Sequence, residues 1–230
     1  LTRLRNLKLT GMADAAQQQL EHASTYEGLP FIERLSLLVE HEQLSREQRK
    51  QARLVKQARL KLQATVQELD YQSARNLERS QVANLAQGEW LRRGQNLLIT
   101  GPCGCGKTYL ACALGYQACQ QGHSTRYYRL PRLLLELSQA KVDGSYARLL
   151  GQLARIELLI LDDWGLEAVN AEQRNALLEI MDDRYGKYST VVVSQLPTEE
   201  WYASLGDNTL ADAILDRLMH NAHRLPLKGE

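Results

Sequence analysis

Eight consecutive residues, Gly101-Pro102-Cys103-Gly104-Cys105-Gly106-Lys107-Thr108, follow the spacing Gly-x-x-x-x-Gly-Lys-[Ser/Thr]. That pattern suits a polyphosphate. Glycines let the backbone curl until successive N–H groups point inward at an anion, and a helix N-terminus behind them adds partial positive charge. Lys107 would reach the β- and γ-phosphates, and Thr108 would offer its hydroxyl to Mg²⁺. Tyr109 comes next and closes the candidate nucleotide-contacting run from Gly101. About 55 residues after Lys107, Leu158-Leu159-Ile160-Leu161 runs into the paired acids Asp162 and Asp163. Asp162 is placed to hold Mg²⁺, directly or through water. Asp163 is placed to orient or activate the attacking water. Gln195, or Ser194 before it, lies just past another apolar run and is placed to sense the γ-phosphate or that water. The chemistry these residues imply is Mg²⁺-dependent hydrolysis of a nucleoside triphosphate, with Lys107, Asp163 and Gln195 as catalytic candidates and Thr108 and Asp162 as metal ligands.

Such residues need strands to carry them and a helix behind the loop. Asn96 to Thr100 is a short apolar run bounded by Gly94 and Gly101, which predicts a buried strand. Tyr109 to Gln121 keeps apolar positions at helical spacing and stops at Gly122, a C-cap. Strands are expected at 125–129, 158–163 and 190–194, with an edge strand at 224–227. Between the second and third strands two helices are expected, Arg132 to Ala140 behind Pro131, and Ser145 to Arg155. Asn170 with Gln173 forms a capping box for a helix ending near Gly186. Helices at 199–205 and 210–222 follow. The alternation predicts an α/β fold, a parallel sheet flanked by helices.

Residues 1–64 read as a separate all-helical domain, 65–95 as a connection with a helix from Ser73 to Leu85, and 96–230 as the ATPase domain. An amphipathic stretch starts at Leu4 and ends near Ser24-Thr25. Pro30 opens a helix to Gln43, and Ser45 is placed to cap another, Arg46 to Leu62. That last helix carries Arg46, Arg49, Lys50, Arg53, Lys56, Arg59 and Lys61 against the single acid Glu47. At about 100° per residue the cations cover roughly 200° of its circumference. A one-signed face on a small helical module is the footprint of a phosphate-backbone binder. Arg46, Arg49, Lys50, Arg53 and Lys56 are therefore the candidate contacts to DNA.

Composition agrees with a globular chain: 230 residues, 44% apolar, formal charge +1, and one Phe, so the core must be mostly aliphatic. No apolar run approaches the ~18 residues that span a membrane. Two of the four cysteines, Cys103 and Cys105, lie inside the phosphate loop, and Cys112 and Cys119 share one helix face. These features predict a cytoplasmic protein with free thiols and no membrane partner.

With these elements in place the chain resembles the IstB family, AAA+ ATPases that assist insertion-sequence transposases and are kin to the helicase loader DnaC. The resemblance rests on the phosphate loop, on Leu158 to Asp163 with Trp164-Gly165, on Ser194-Gln195-Leu196-Pro197, and on Leu210 to Leu218. It implies a P-loop AAA+ core and an ATP-dependent homo-oligomer with ATP sites at its subunit interfaces. It also implies remodelling of duplex DNA and recruitment of a cognate transposase. By the same resemblance Arg217 matches the arginine finger that reaches a neighbour's ATP, and Gln195 matches sensor 1. No second sensor is assigned, because the sequence stops at Glu230. A DnaC-like helicase loader is the same machine with another client. A small-molecule phosphotransferase would leave the basic helix and Arg217 without a role.

Overall fold

A computed structural model describes residues 1–71, 75–206 and 208–229. They form two compact units, Leu1–Arg53 and Leu54–Glu230. The first is helical: α1 (Thr2–Asn6), α2 (Thr10–Glu21), α3 (Ala23–Tyr26) and α4 (Phe31–Ala58), whose last residues belong to the second unit. The expected amphipathic run from Leu4 is interrupted at Lys8, which takes a left-handed φ of 61°.

The expected break at Ser45 does not occur. Helix α4 runs unbroken for 28 residues, about 42 Å at 1.5 Å per residue. Its interior holds no Gly or Pro and is rich in Glu, Gln, Leu, Arg and Lys, so Ser45 meets no helix start to cap. Ser45 instead supplies a small side chain where α2 crosses. A Cβ added at Gly11 would come within 2.9 Å of the Ser45 Cβ and 2.8 Å of the Glu42 Cα. Arg59 and Lys61 fall beyond the helix end, so the cations carried by α4 stop at Lys56.

Glu42 ties this crossing together. Its buried carboxylate accepts from the Met12 N–H at 2.9 Å, Arg46 Nε at 2.8 Å and Arg49 Nη2 at 3.5 Å. The Arg46 hydrogen bond, with help from the Met12 amide, holds the carboxyl below the usual glutamate range. A group whose folded-state pKa is depressed adds stability above its unfolded value and loses it as pH falls through the folded value. Glu42→Gln should therefore destabilise the chain by about 1.5–3 kcal/mol at neutral pH. The difference from wild type should shrink as pH drops below the ordinary glutamate range, which denaturant melts at a series of pH values will measure.

The second unit continues with a 3₁₀ turn (Val66–Glu68), α5 (Arg79–Ala86) and α6 (Glu89–Arg92). The expected helix start at Ser73 lies outside the described residues. Then strands and helices alternate: β1 (Asn96–Thr100), α7 (Lys107–Gln120), β2 (Thr125–Arg129), α8 (Leu130–Asp143), α9 (Tyr146–Arg155), β3 (Leu158–Trp164), α10 (Ala171–Arg184) and β4 (Ser189–Ser194). A 3₁₀ turn (Thr198–Glu200), α11 (Trp201–Leu205), α12 (Asn208–Met219) and β5 (Ala222–Pro226) complete it. The five strands are all parallel, in the order β2-β3-β4-β1-β5.

The central strands are buried on both faces, as parallel sheets are. Leu97, Ile99, Leu158, Ile160, Val191 and Val193 face a core that includes Leu110, Ala111 and Leu114 of α7 and Val82 and Leu85 of α5. Leu98, Leu159, Leu161 and Val192 face the opposite core, filled by side chains from α8, α9, α10, α11 and α12. Residues 64–91 contribute Ala64, Val82, Leu85, Trp90 and Leu91 to the first core. The capping box of α10 is present, with Asn170 Oδ1 accepting from Gln173 N at 2.8 Å and Gln173 Oε1 accepting from Asn170 N at 2.9 Å. Parallel strands bring the ends of β1, β2, β3 and β4 to one edge, where loops can hold a ligand.

Candidate functional site

The site begins with the backbone between β1 and α7. Gly101, Gly104 and Gly106 take φ values of 150°, 83° and 88°, which L side chains rarely adopt. At Gly101 the space is also closed, since a Cβ there would lie 2.6 Å from the Leu227 carbonyl oxygen. Gly106 serves as the N-cap of α7, so Lys107 and Thr108 open the helix at its positive end. Lys107 is only 8% exposed, and its ammonium donates to the Pro102 carbonyl at 2.6 Å, within the loop it would share with phosphates. Cys105 is buried beside it and Cys103 is exposed. Tyr109 points elsewhere, its hydroxyl donating to Glu68 Oε2 at 3.3 Å.

At the end of β3, Asp162 is 2% exposed. Its Oδ2 accepts from Thr108 Oγ1 at 2.8 Å and from the Tyr127 hydroxyl at 2.6 Å, and its Oδ1 accepts from the Asp163 N–H at 2.8 Å. Burial, then the neighbouring Asp162 carboxylate, push the Tyr127 phenol far above its ordinary range. Among the described residues no Lys or Arg forms an ion pair with Asp162. A buried carboxylate and an adjacent hydroxyl are hard oxygen donors of the kind that suits a divalent cation. The residues present fit Mg²⁺.

Asp163 sits in a register irregularity between β3 and β4, with a left-handed φ of 61°. The bulge turns its carboxylate out of the ladder. It pairs there with Arg129 at the end of β2, Nε to Oδ2 at 2.6 Å. This hydrogen bond and its charge raise the Arg129 pKa above the usual arginine value. Gln195 is exposed, and with Asp163, Gly165 and Leu196 it lines a cavity of about 120 Å³. Ser194 is not free to serve as a sensor: its hydroxyl is buried and donates to the Trp164 carbonyl at 2.6 Å.

The structure thus brings together Lys107, Thr108, Asp162, Asp163 and the loop carrying Gln195. It does not bring Arg217 to them. Arg217 lies in the last turn of α12 and pairs with Asp182 of α10. The next residue, Leu218, accepts at its carbonyl from Asn96 Nδ2 at 2.9 Å. Asn96 is the first residue of β1, so the Arg217 backbone sits one strand length, about 17 Å, from the phosphate loop. The basic residues Arg46, Arg49, Lys50, Arg53 and Lys56 are all exposed on α4, and Arg46 and Arg49 share Glu42. Sequence reasoning passed over Tyr127 and Arg129. The signal was there: alternation along β2 puts both on the side of the strand that meets Ile160 and Asp162.

A family model described as IstB-like ATP binding protein matches residues 2–230. The chain belongs to that family. Among its IstB-like relatives, an insertion sequence ATP-binding protein of Sinorhizobium fredii is 47% identical over 230 residues, 100% of this chain and 94% of the relative. The insertion sequence IS21 ATP-binding protein of Pseudomonas aeruginosa is 35% identical over 227 residues, 99% of this chain and 85% of the relative. Solved structures share the fold at lower identity. The crystal structure of DnaI aligns with a TM-score of 0.63 at 20% identity, covering 76% of this chain and 93% of that one. The DnaC helicase loader aligns at 0.56 and 21%, covering 65% and 87%. The fold is the P-loop AAA+ fold. No helix among the described residues is long and apolar enough to cross a membrane.

In this IstB-like chain Lys107→Ala removes the buried ammonium that the phosphate loop holds at the Pro102 carbonyl. A charge-assisted contact contributes about 1.5–3 kcal/mol, so ATP affinity measured by calorimetry should fall at least tenfold, with the melting temperature of the nucleotide-free protein nearly unchanged.

Proposed function

We propose that this protein is an Mg²⁺-dependent ATPase that assembles into a homo-oligomer on duplex DNA, remodels it, and recruits or stimulates a cognate transposase. One observation carries the reading: the acid, lysine and sensor positions converge at one end of the sheet while Arg217 sits at the other. A single copy therefore holds an ATP site without its arginine, and an arginine without a site. A head-to-tail neighbour reconciles the two, since each copy then presents Arg217 to the next copy's phosphate loop.

In that site the N–H groups from Gly104 to Thr108 and the Lys107 ammonium bind the phosphates at the positive end of α7. Thr108 and Asp162 would hold Mg²⁺, which would supply positive charge to offset the charge developing on the transferred group. Asp163 orients the attacking water, and Gln195 contacts the γ-phosphate or that water. Arg129 engages Oδ2 of Asp163, which leaves Oδ1 to accept a hydrogen bond from water. Asp163→Asn should bind ATP with near wild-type affinity and fail to hydrolyse it. Arg217→Ala should do the same, because a guanidinium supplied in trans contributes 10³ or more in rate in well-studied cases. Mixing the two inactive variants should restore phosphate release, since some interfaces then pair an intact Asp163 with an intact Arg217. If no mixing ratio restores turnover, Arg217 acts within its own chain or not at all.

The names of the relatives, insertion sequence ATP-binding proteins, support transposition over helicase loading as the setting. The exposed cations of α4 support DNA contact. Each phosphate contact steepens log K against log [salt] by about 0.9. Changing Arg49, Lys50 and Arg53 together to Gln should flatten that slope by roughly 2–3 units per subunit and weaken binding equally on unrelated sequences. Helix content by circular dichroism should hold, because Gln suits a helix as well as Lys or Arg. An unchanged slope would assign the basic face to a protein partner instead. Electron micrographs with duplex DNA and a non-hydrolysable ATP analogue will test assembly directly.

A further inference from the structure

We infer that Tyr127 is a positioning residue for the metal-holding carboxylate: its hydroxyl fixes Asp162 in the orientation from which Asp162 and Thr108 hold Mg²⁺ together. The inference rests on the ATP and Mg²⁺ reading of the site and adds to it a residue that no motif contains.

The argument starts from acceptor capacity. Each carboxylate oxygen offers two lone-pair sites. At Asp162 both sites of Oδ2 are taken, by Thr108 Oγ1 at 2.8 Å and by the Tyr127 hydroxyl at 2.6 Å. One site of Oδ1 is taken by the Asp163 amide at 2.8 Å. The site that remains is on Oδ1. Three donors from three different segments thus lock rotation of the carboxylate and leave one direction for a cation or its water. Two of the donors belong to the nucleotide motifs themselves. Tyr127 is the third, delivered by the neighbouring strand at the register Tyr127 opposite Ile160.

The hydroxyl is not needed for packing. The Tyr127 ring lies 8% exposed in the core that includes Cys112 and Ile160, and a Phe ring would fill that space equally. Burying a phenol costs free energy unless it finds a partner, and the partner here is Oδ2 of the metal-holding carboxylate. Without the hydroxyl, one site on Oδ2 opens, and the carboxylate is free to rotate or to take up a water there. Thr108 then shares its acceptor with solvent, and the alignment of its oxygen with Oδ1 is lost. Hydrogen-bond partners of metal ligands typically contribute 10–100-fold to metal affinity.

The test uses the full chain as wild type, Tyr127→Phe and, as a control, Tyr128→Phe, whose half-buried ring stacks under Arg126 at 4.8 Å instead. Protein-bound Mn²⁺ is measured by electron paramagnetic resonance with a non-hydrolysable ATP analogue present, and analogue affinity is measured separately in EDTA. Tyr127→Phe should lower Mn²⁺ affinity about 10–100-fold while metal-free analogue affinity stays within about twofold. Tyr128→Phe should move neither. Incorporation of 3-fluorotyrosine at position 127 keeps the hydroxyl and the ring and should keep the Mn²⁺ affinity; loss of affinity there overturns the inference even where Tyr127→Phe does not fold. Unchanged Mn²⁺ affinity in folded Tyr127→Phe overturns it, as does an equal loss with and without metal, which would make the hydroxyl a stability element only. A wild-type protein that binds the analogue equally with Mg²⁺ and EDTA and holds no Mn²⁺ overturns the metal reading of the site itself.

Discussion

Asp162 lies where almost no water reaches it, and a carboxyl group in that setting costs free energy unless its oxygens meet donors. Three donors meet it, from α7, from β2 and from the backbone of Asp163. That requirement couples the parts of the core to one another. It fixes how far α7 stands from β3, because Thr108 must reach Oδ2. It draws on β2 as the neighbour of β3, since Tyr127 reaches the same oxygen from there. A change in the spacing of any of these segments would leave a buried charge partly unsatisfied, so the site and the stability of the sheet are not separable.

The parallel sheet adds a second constraint. Its strands deliver β1, β2, β3 and β4 ends to one edge, and helices return the chain to the other edge each time. Residues that close a strand share the ligand edge, and residues that close a helix lie at the opposite edge. Arg217 closes α12 and so belongs to the far edge by topology, whatever its side chain does. In the proposed assembly the arginine of one copy would serve the site of the next, and the order of elements supports that arrangement.

Asp163 shows how local strain and pairing are combined. The bulge and left-handed φ at Asp163 cost free energy, and the hydrogen bond and charge of Arg129 offset part of it. The outcome is a carboxylate held clear of the ladder and aimed along the sheet edge. Helix α4 follows a simpler logic: once Phe31 starts the helix, nothing between it and Ala58 stops it, and the small residues Gly11 and Ser45 let α2 cross closely enough for Glu42 to reach the Met12 amide.

By itself the sequence determined what depends on neighbours along the chain. The glycine pattern of the phosphate loop, β1 and β2 to the residue, the two helices of 130–155 and the capping box at Asn170 were all legible, because glycine conformations, apolar runs and side-chain caps act over a few residues. It also carried the acids at the end of β3, since a buried strand running into paired Asp has few other uses. Tertiary structure decided what depends on distant segments. The strand order, the donation from Tyr127 to Asp162, the pairing of Arg129 with Asp163 and the place of Arg217 at the far edge all join residues at least 30 positions apart. The continuity of α4 belongs there too, in part: Ser45 reads as a cap or as a small crossing residue with equal ease until α2 is seen against it. Local rules select conformations. Which buried charge meets which donor is set only when the sheet closes.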